Sequence, residues 1–173
     1  MKIATWNING ISSRLDHVIK WTEIAEPDVL CLQETKTPDA KFPSAKLQKI
    51  GYEHIAELGG RRGDPRGADP SPNAYWRVRS FRNYADYALT APFTAGMARL
   101  RERGSGHRCA IMCAEAVWWR CHRRIIGDYL LAAGERVMHI LGTSHVDEAH
   151  LTPGAVLRND GTVVYPAESP RLG

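Results

Sequence analysis

The sequence predicts an α/β fold, a single compact domain with a mainly parallel sheet and helices on both faces, and three observations lead to it. The first fifty residues read as β-α-β-α-β, the element order of a parallel sheet. Further along, short apolar runs at 109–113 and 137–141 are separated by segments with helical spacing. The chain has 173 residues, enough to bury one core without staples.

The elements follow in order. Ile3, Thr5 and Ile8 open a strand over about 2–8, closed by the Asn9-Gly10 pair. Leu15, Val18, Ile19 and Thr22 recur at helical spacing until Pro27 stops them. Val29 to Leu32 is a buried strand, 43–50 a short helix with Pro in its first turn and Gly51 at its end, and 52–55 a third strand. From 59 to 80 the chain is rich in Gly, Pro, Asp and Arg and reads as one long loop. Helical pattern resumes at Phe81, Tyr84, Ala85 and Ala88. Thr90 then caps a helix opened by Ala91-Pro92 and running through Leu100. Cys109 to Cys113 reads as a buried strand, with Cys109 a small hydrophobe inside it. A helix over 120–133 ends at Gly134, a strand covers 137–141, and Asn159-Asp160-Gly161 marks a hairpin.

Composition narrows the function classes. No run of about 18 apolar residues is present, so no membrane span is expected. The opening MKIATWNING lacks an apolar secretory core, which makes the cytoplasm the expected location. Four cysteines, Cys31, Cys109, Cys113 and Cys121, read there as free thiols. The net charge of +4 permits contact with nucleic acid or a small anionic ligand. Its make-up is uneven: residues 1–50 hold six Lys and one Arg, while 51–173 hold sixteen Arg and no Lys. That asymmetry divides the chain near residue 50.

Two motif sets lie on either side of that division. TWNING (5–10) followed by DVLCLQETK (28–36) resembles the start of exonuclease III, in the endonuclease/exonuclease/phosphatase family, over about residues 1–50. The resemblance implies DNA repair chemistry with Mg²⁺ as cofactor, held by Glu34 with Asn7 in support. A carboxylate at a strand end suits a hard, oxygen-seeking ion that polarises a phosphate. The family's later Asp-x-Asn pair and Ser-Asp-His triplet do not occur in this sequence, so nuclease activity is not expected and no cofactor is needed without it. From 51 to 173 the chain resembles the domain-of-unknown-function family 488, through HIAELGGRR (54–62), SPNAYWR (71–77), SFRNYADY (80–87), MCAEAVWWRCHR (112–123) and MHILG (138–142). That resemblance implies an α/β sandwich and no particular chemistry.

Read from residues alone, CAEAVWWRCHR is the candidate reactive site. Cys113 follows a strand and precedes a helix, where a thiol pKa falls, and Arg120, His122 and Arg123 add positive charge nearby. Glu115 is a candidate general acid or base. Cys121 belongs to the same set, although Cys113, Cys121 and His122 lack the spacing of a usual zinc site. Arg61, Arg62, Arg77, Arg79 and Arg82 are candidate phosphate contacts, with Tyr75, Trp76, Tyr84, Tyr87, Trp118 and Trp119 available to stack bases or to fill the core. Three functions stay open: a small enzyme or anion-binding module centred on Cys113, a Mg²⁺-dependent DNA hydrolase, and a fusion product without function.

Overall fold

The computed structural model describes residues 3–7, 10–26, 29–33, 36–51, 53, 55–67, 69–106, 109, 111, 115, 117–140 and 146–167. Strand β1 (Ile3–Asn7) pairs in parallel with β2 (Val29–Gln33), Ile3 opposite Val29 and Asn7 opposite Gln33. Helix α1 (Leu15–Ala25) makes the crossover between them. Its last turn is closed by Glu26 in the left-handed region (φ 41°), whose N–H donates to the Thr22 carbonyl. Helix α2 (Ser44–Leu47) tightens into a 3₁₀ turn over Gln48–Ile50 that ends at Gly51 with φ 82°. Ile11, Leu15, Val18 and Leu47 are buried together as a small core of this part.

Helices α3 (Arg79–Tyr87), α4 (Ala91–Gly106) and α5 (Arg123–Ala132) follow. They bury Tyr84, Ala85, Phe93, Met97, Ile125 and Ile126 with Leu58, Trp76, Val163 and Tyr165 in the larger core. These positions lie three or four residues apart on each helix or side by side at its inner face, so each presents one apolar stripe. Strands β3 (Met138–Ile140) and β4 (Val146–Glu148) pair antiparallel, as do β5 (Val156–Leu157) and β6 (Val163–Val164). The last two are joined through Gly161 at φ 81°, the left-handed residue the Asn-Asp-Gly turn supplies.

The expected mainly parallel sheet is therefore corrected. Among the described residues the strands form three separate pairs, one parallel and two antiparallel, set among helices. Glu53 and Ile55 lie in no strand; Tyr52 and His54 are outside the described residues. Cys109 and Ile111 also lie in no strand, and Cys109 is exposed where burial was expected. Thr90 does not cap α4 with its hydroxyl, which turns back to donate to the Tyr87 carbonyl at 2.7 Å. No helix among the described residues is long and apolar enough to cross a membrane.

Buried polar groups fasten the C-terminal segment to the helices. Asn73, fully buried, donates through Nδ2 to Asp86 Oδ1 at 2.7 Å and accepts at Oδ1 from the Tyr165 N–H at 2.8 Å. Ser71 Oγ donates to the same Asp86 oxygen at 2.7 Å. Tyr165 Oη donates to Asp128 Oδ2 at 2.7 Å, while Asp128 Oδ1 accepts from the Thr152 N–H at 2.8 Å. Burial raises the Asp128 carboxyl above its usual range, opposed by these donors and by the Arg124 charge. The Ser71-Pro72-Asn73 triplet is thus a structural clamp as well as a motif.

Candidate functional site

The site is built on a short turn that α3 grips by its carbonyls. In the 3₁₀ turn Ala56–Leu58, Tyr84 Oη donates to Leu58 O and Tyr87 Oη to Glu57 O, each at 2.8 Å. Arg62 folds back to donate through Nη2 to Ala56 O at 2.6 Å. Tyr84 and Tyr87 reach this turn because residues three apart share a helix face. Gly96 of α4 allows the close approach: a Cβ there would lie 2.9 Å from Glu57 Cβ and 3.1 Å from the Leu58 side chain.

The turn delivers Gly59-Gly60-Arg61-Arg62 to the start of α5. Gly60 lies flat against His122, so that an added Cβ would lie 2.7 Å from ring atom Cε1. The His122 ring centroid is 5.1 Å from that of Tyr84, and the Arg62 guanidinium sits 4.1 Å over the Tyr87 ring. On the other side of His122, the Cys121 sulfur accepts from the Arg123 backbone N–H at 3.3 Å and from Arg123 Nε at 2.9 Å. Arg123 also donates through Nη2 to the Glu115 carbonyl at 2.6 Å. Cys121 is only 4% exposed, so the two donors act on a largely desolvated sulfur.

Charge in this cluster comes from Arg62 and Arg123. Burial, then the charges of Arg123 and Arg62, push the His122 pKa down to about 4, so the imidazole is neutral near pH 7. That corrects the expectation that His122 adds positive charge. Burial and the Arg123 charge also lower His139, which lies flat on Trp118 with ring centroids 3.8 Å apart. Two N–H donors, one from a guanidinium, converge on the buried Cys121 sulfur.

The sequence-derived candidates divide as follows. Cys121, His122, Arg123 and the Glu115 carbonyl come together, joined by Arg62 from the arginine set. The Glu115 side chain is exposed. Cys113 and Glu34 lie outside the described residues. Arg61, Arg77 and Arg79 are exposed, whereas Arg82 lines a cleft on the far side of α3. Tyr84 and Trp76 are buried in the core, leaving Trp119, 46% exposed, as the most open of the tryptophans in this part. Sequence reasoning missed Gly60 as the seat of His122; the glycine pair directly ahead of two arginines was the available signal. Asn7 ends β1 opposite Gln33, and Glu34 follows Gln33 in sequence. One amide and one carboxylate are donors suited to Mg²⁺, though a hard cation takes about six oxygen ligands. Among the described residues, no group of three or more His, Cys, Asp or Glu could hold a metal.

Comparison with known proteins gives two results. Residues 36–130 match the family described as "Domain of unknown function DUF488", beginning ahead of the Gly51 read from the motifs. The chain is also similar to DNA repair nuclease APEX1 of Danio rerio, 34% identical over 55 residues, which are 31% of this chain and 18% of that protein. It is 37% identical over 78 residues to a DNA-(apurinic or apyrimidinic site) endonuclease of Dictyostelium discoideum, covering 43% of this chain and 21% of that protein. Exodeoxyribonuclease III of Haemophilus influenzae is 37% identical over 59 residues, 34% of this chain and 22% of that protein. The match spans about a fifth of the length of these relatives. No solved structure matches the chain.

Proposed function

Since the chain belongs to the family of the domain of unknown function DUF488, a name that assigns no activity, we propose a function from the site: it binds a small anion beside an activated thiolate at Cys121. The observation that carries this reading is Arg123 Nε, 2.9 Å from a sulfur that also accepts the Arg123 N–H. Arg62 supplies the second positive charge. Neutral His122, with a pKa of about 4, is too weak a base to hold a proton at pH 7 and serves as a hydrogen-bonding wall. Cys113, singled out by its place in CAEAVWWRCHR, is the alternative nucleophile, and Glu115 its acid or base. Under this reading the arginine-rich half beyond residue 50 carries the chemistry. The opening lends it a fold.

The test is alkylation by iodoacetamide resolved in time and mapped by mass, from pH 5 to pH 9. Exposed Cys109 serves as the accessible reference cysteine, and about pH 8.5 marks where an ordinary free thiol ionises. Cys121 is expected to label below that range, to slow when sulfate is added, and to lose the low-pH reactivity in Arg123→Gln. Labelling of Cys113 ahead of Cys121 would move the nucleophile to Cys113. Equal pH dependence at all three cysteines, unchanged in Arg123→Gln, would end the reading.

A second reading is favoured by the similarity of the chain to three DNA repair enzymes. In it, Asn7 and Glu34 hold Mg²⁺, which would polarise a phosphate, and Arg61, Arg77 and Arg79 contact nucleic acid through charge. The absence of an Asp-x-Asn pair and a Ser-Asp-His triplet from the sequence weighs against it.

A further inference from the structure

Helix α3 has a second working face. While Tyr84 and Tyr87 grip the turn at the thiol site, Arg82, Asn83 and Asp86 line a cleft of about 370 Å³ beneath the loop that carries Asp64, Gly67, Asp69, Pro70, Ser71 and Ala74. That volume lies at the small end of ligand pockets, which start near 300 Å³. Three carboxylates, Asp64, Asp69 and Asp86, face one guanidinium, Arg82, which leaves a local charge of −2 on a chain whose net charge is +4.

The floor of the cleft has unused polar groups. Asp86 is 5% exposed, and its Oδ1 is committed to Ser71 and Asn73, yet no hydrogen bond reaches Oδ2 from the described residues. Asn83 is 9% exposed, and its side-chain amide makes no hydrogen bond with the described residues. Neither Asp86 Oδ2 nor the Asn83 amide is sealed off from solvent, so both open onto the cleft, where a ligand atom can reach them. The loop above is set by Asp64 Oδ1, which accepts the Arg66 and Gly67 N–H groups at 3.0 and 3.1 Å. Gly67, at φ 63°, supplies the left-handed residue that lets the loop turn over the cleft.

We propose that this cleft binds a small organic cation, an alkylammonium whose N–H groups donate to Asp86 Oδ2 and Asn83 Oδ1, with Asp64 or Asp69 taking a second positive end. An ammonium satisfies two acceptors at about 2.8–3.0 Å each and so bridges groups that stand apart. A metal ion instead needs its oxygens drawn in to about 2.0–2.6 Å around one point, and the described carboxylates form no such group.

The experiment is calorimetric titration of the whole protein with putrescine at low ionic strength. Butane-1,4-diol is the neutral control of equal length, and MgCl₂ the competing ion. Saturable putrescine binding at or below about 1 mM is expected, with no heat from the diol. Asn83→Leu removes a group that serves no protein partner, and is expected to weaken binding at least about tenfold with the fold intact by circular dichroism. Asp69→Asn should weaken it severalfold. Arg123→Gln should leave it unchanged, which separates this site from the thiol site. Absence of saturable heat, equal heat from the diol, undiminished binding in Asn83→Leu, or equal displacement by Mg²⁺ at matched ionic strength would each overturn the proposal.

Discussion

Acid should unfold this protein partly through one imidazole. His122 has a folded pKa of about 4 against an ordinary value of 6.5, so between those values the unfolded chain holds more protons than the native one. Stability therefore rises with pH across this window. It is present in full above pH 6.5 and is lost as pH falls through the folded value. The linkage relation gives a loss of about 2 kcal/mol on going from pH 7 to pH 5, approaching about 3 kcal/mol below pH 4. Urea denaturation followed by tryptophan fluorescence at pH 7 and pH 5 measures it in the wild type and in His122→Gln. Lowered His139 acts in the same direction and raised Asp128 in the opposite one, but both remain in the variant, so the difference between the two proteins isolates His122. The wild type should lose about 2 kcal/mol more than His122→Gln between the two pH values. Equal losses would refute the argument that burial beside Arg62 and Arg123 keeps this ring neutral.

Gly60→Ala places a methyl against the His122 ring and should cost about 1–3 kcal/mol, as overpacking does; unchanged stability in denaturant would show that the ring moves freely. Asn73→Ala strands the Tyr165 N–H in the interior and leaves Asp86 with Ser71 alone, and should cost about 1–3 kcal/mol; a loss under 1 kcal/mol would mean that water takes the place of the amide. With Mg²⁺ and an abasic DNA duplex the purified protein should give no strand cleavage on a gel; cleavage abolished by Glu34→Ala would restore the nuclease reading.

Local signals were legible where one residue decides the backbone. The helix read to stop ahead of Pro27 ends at Ala25, Gly51 closes the 3₁₀ turn after α2, Gly134 adopts φ 81° beyond α5, and the Asn159-Asp160-Gly161 turn makes its hairpin. The periodicity of Leu15 and Val18, and of Tyr84, Ala85 and Ala88, marks buried faces that are found buried. Sheet assembly was not legible, because an apolar run such as 109–113 states only that it is hydrophobic and leaves its pairing to distant chain. The clustering of Cys121, His122 and Arg123 follows from sequence neighbourhood. Their meeting with Gly60 and Arg62 depends on how α3 holds a turn some sixty residues earlier in the chain, which no local pattern records. Asp86 and Asp128 were passed over, although a lone acid beside apolar residues on a helix's inner face is the signal of a buried hydrogen-bonded carboxylate.

Tyr165 accepts from the Tyr75 N–H, donates its own N–H to Asn73 across 92 positions and reaches Asp128 with its hydroxyl. During synthesis the three helices would emerge from the ribosome well before this residue, with Asn73 and Asp128 still lacking their closing partner. The larger core must then wait for the last strand, because a loop of that span gains nothing until its two ends meet. A message broken or a ribosome stalled short of codon 165 would therefore yield an open helical intermediate with Val163 and Tyr165 missing from its apolar interior, the kind of chain that chaperones and proteases collect.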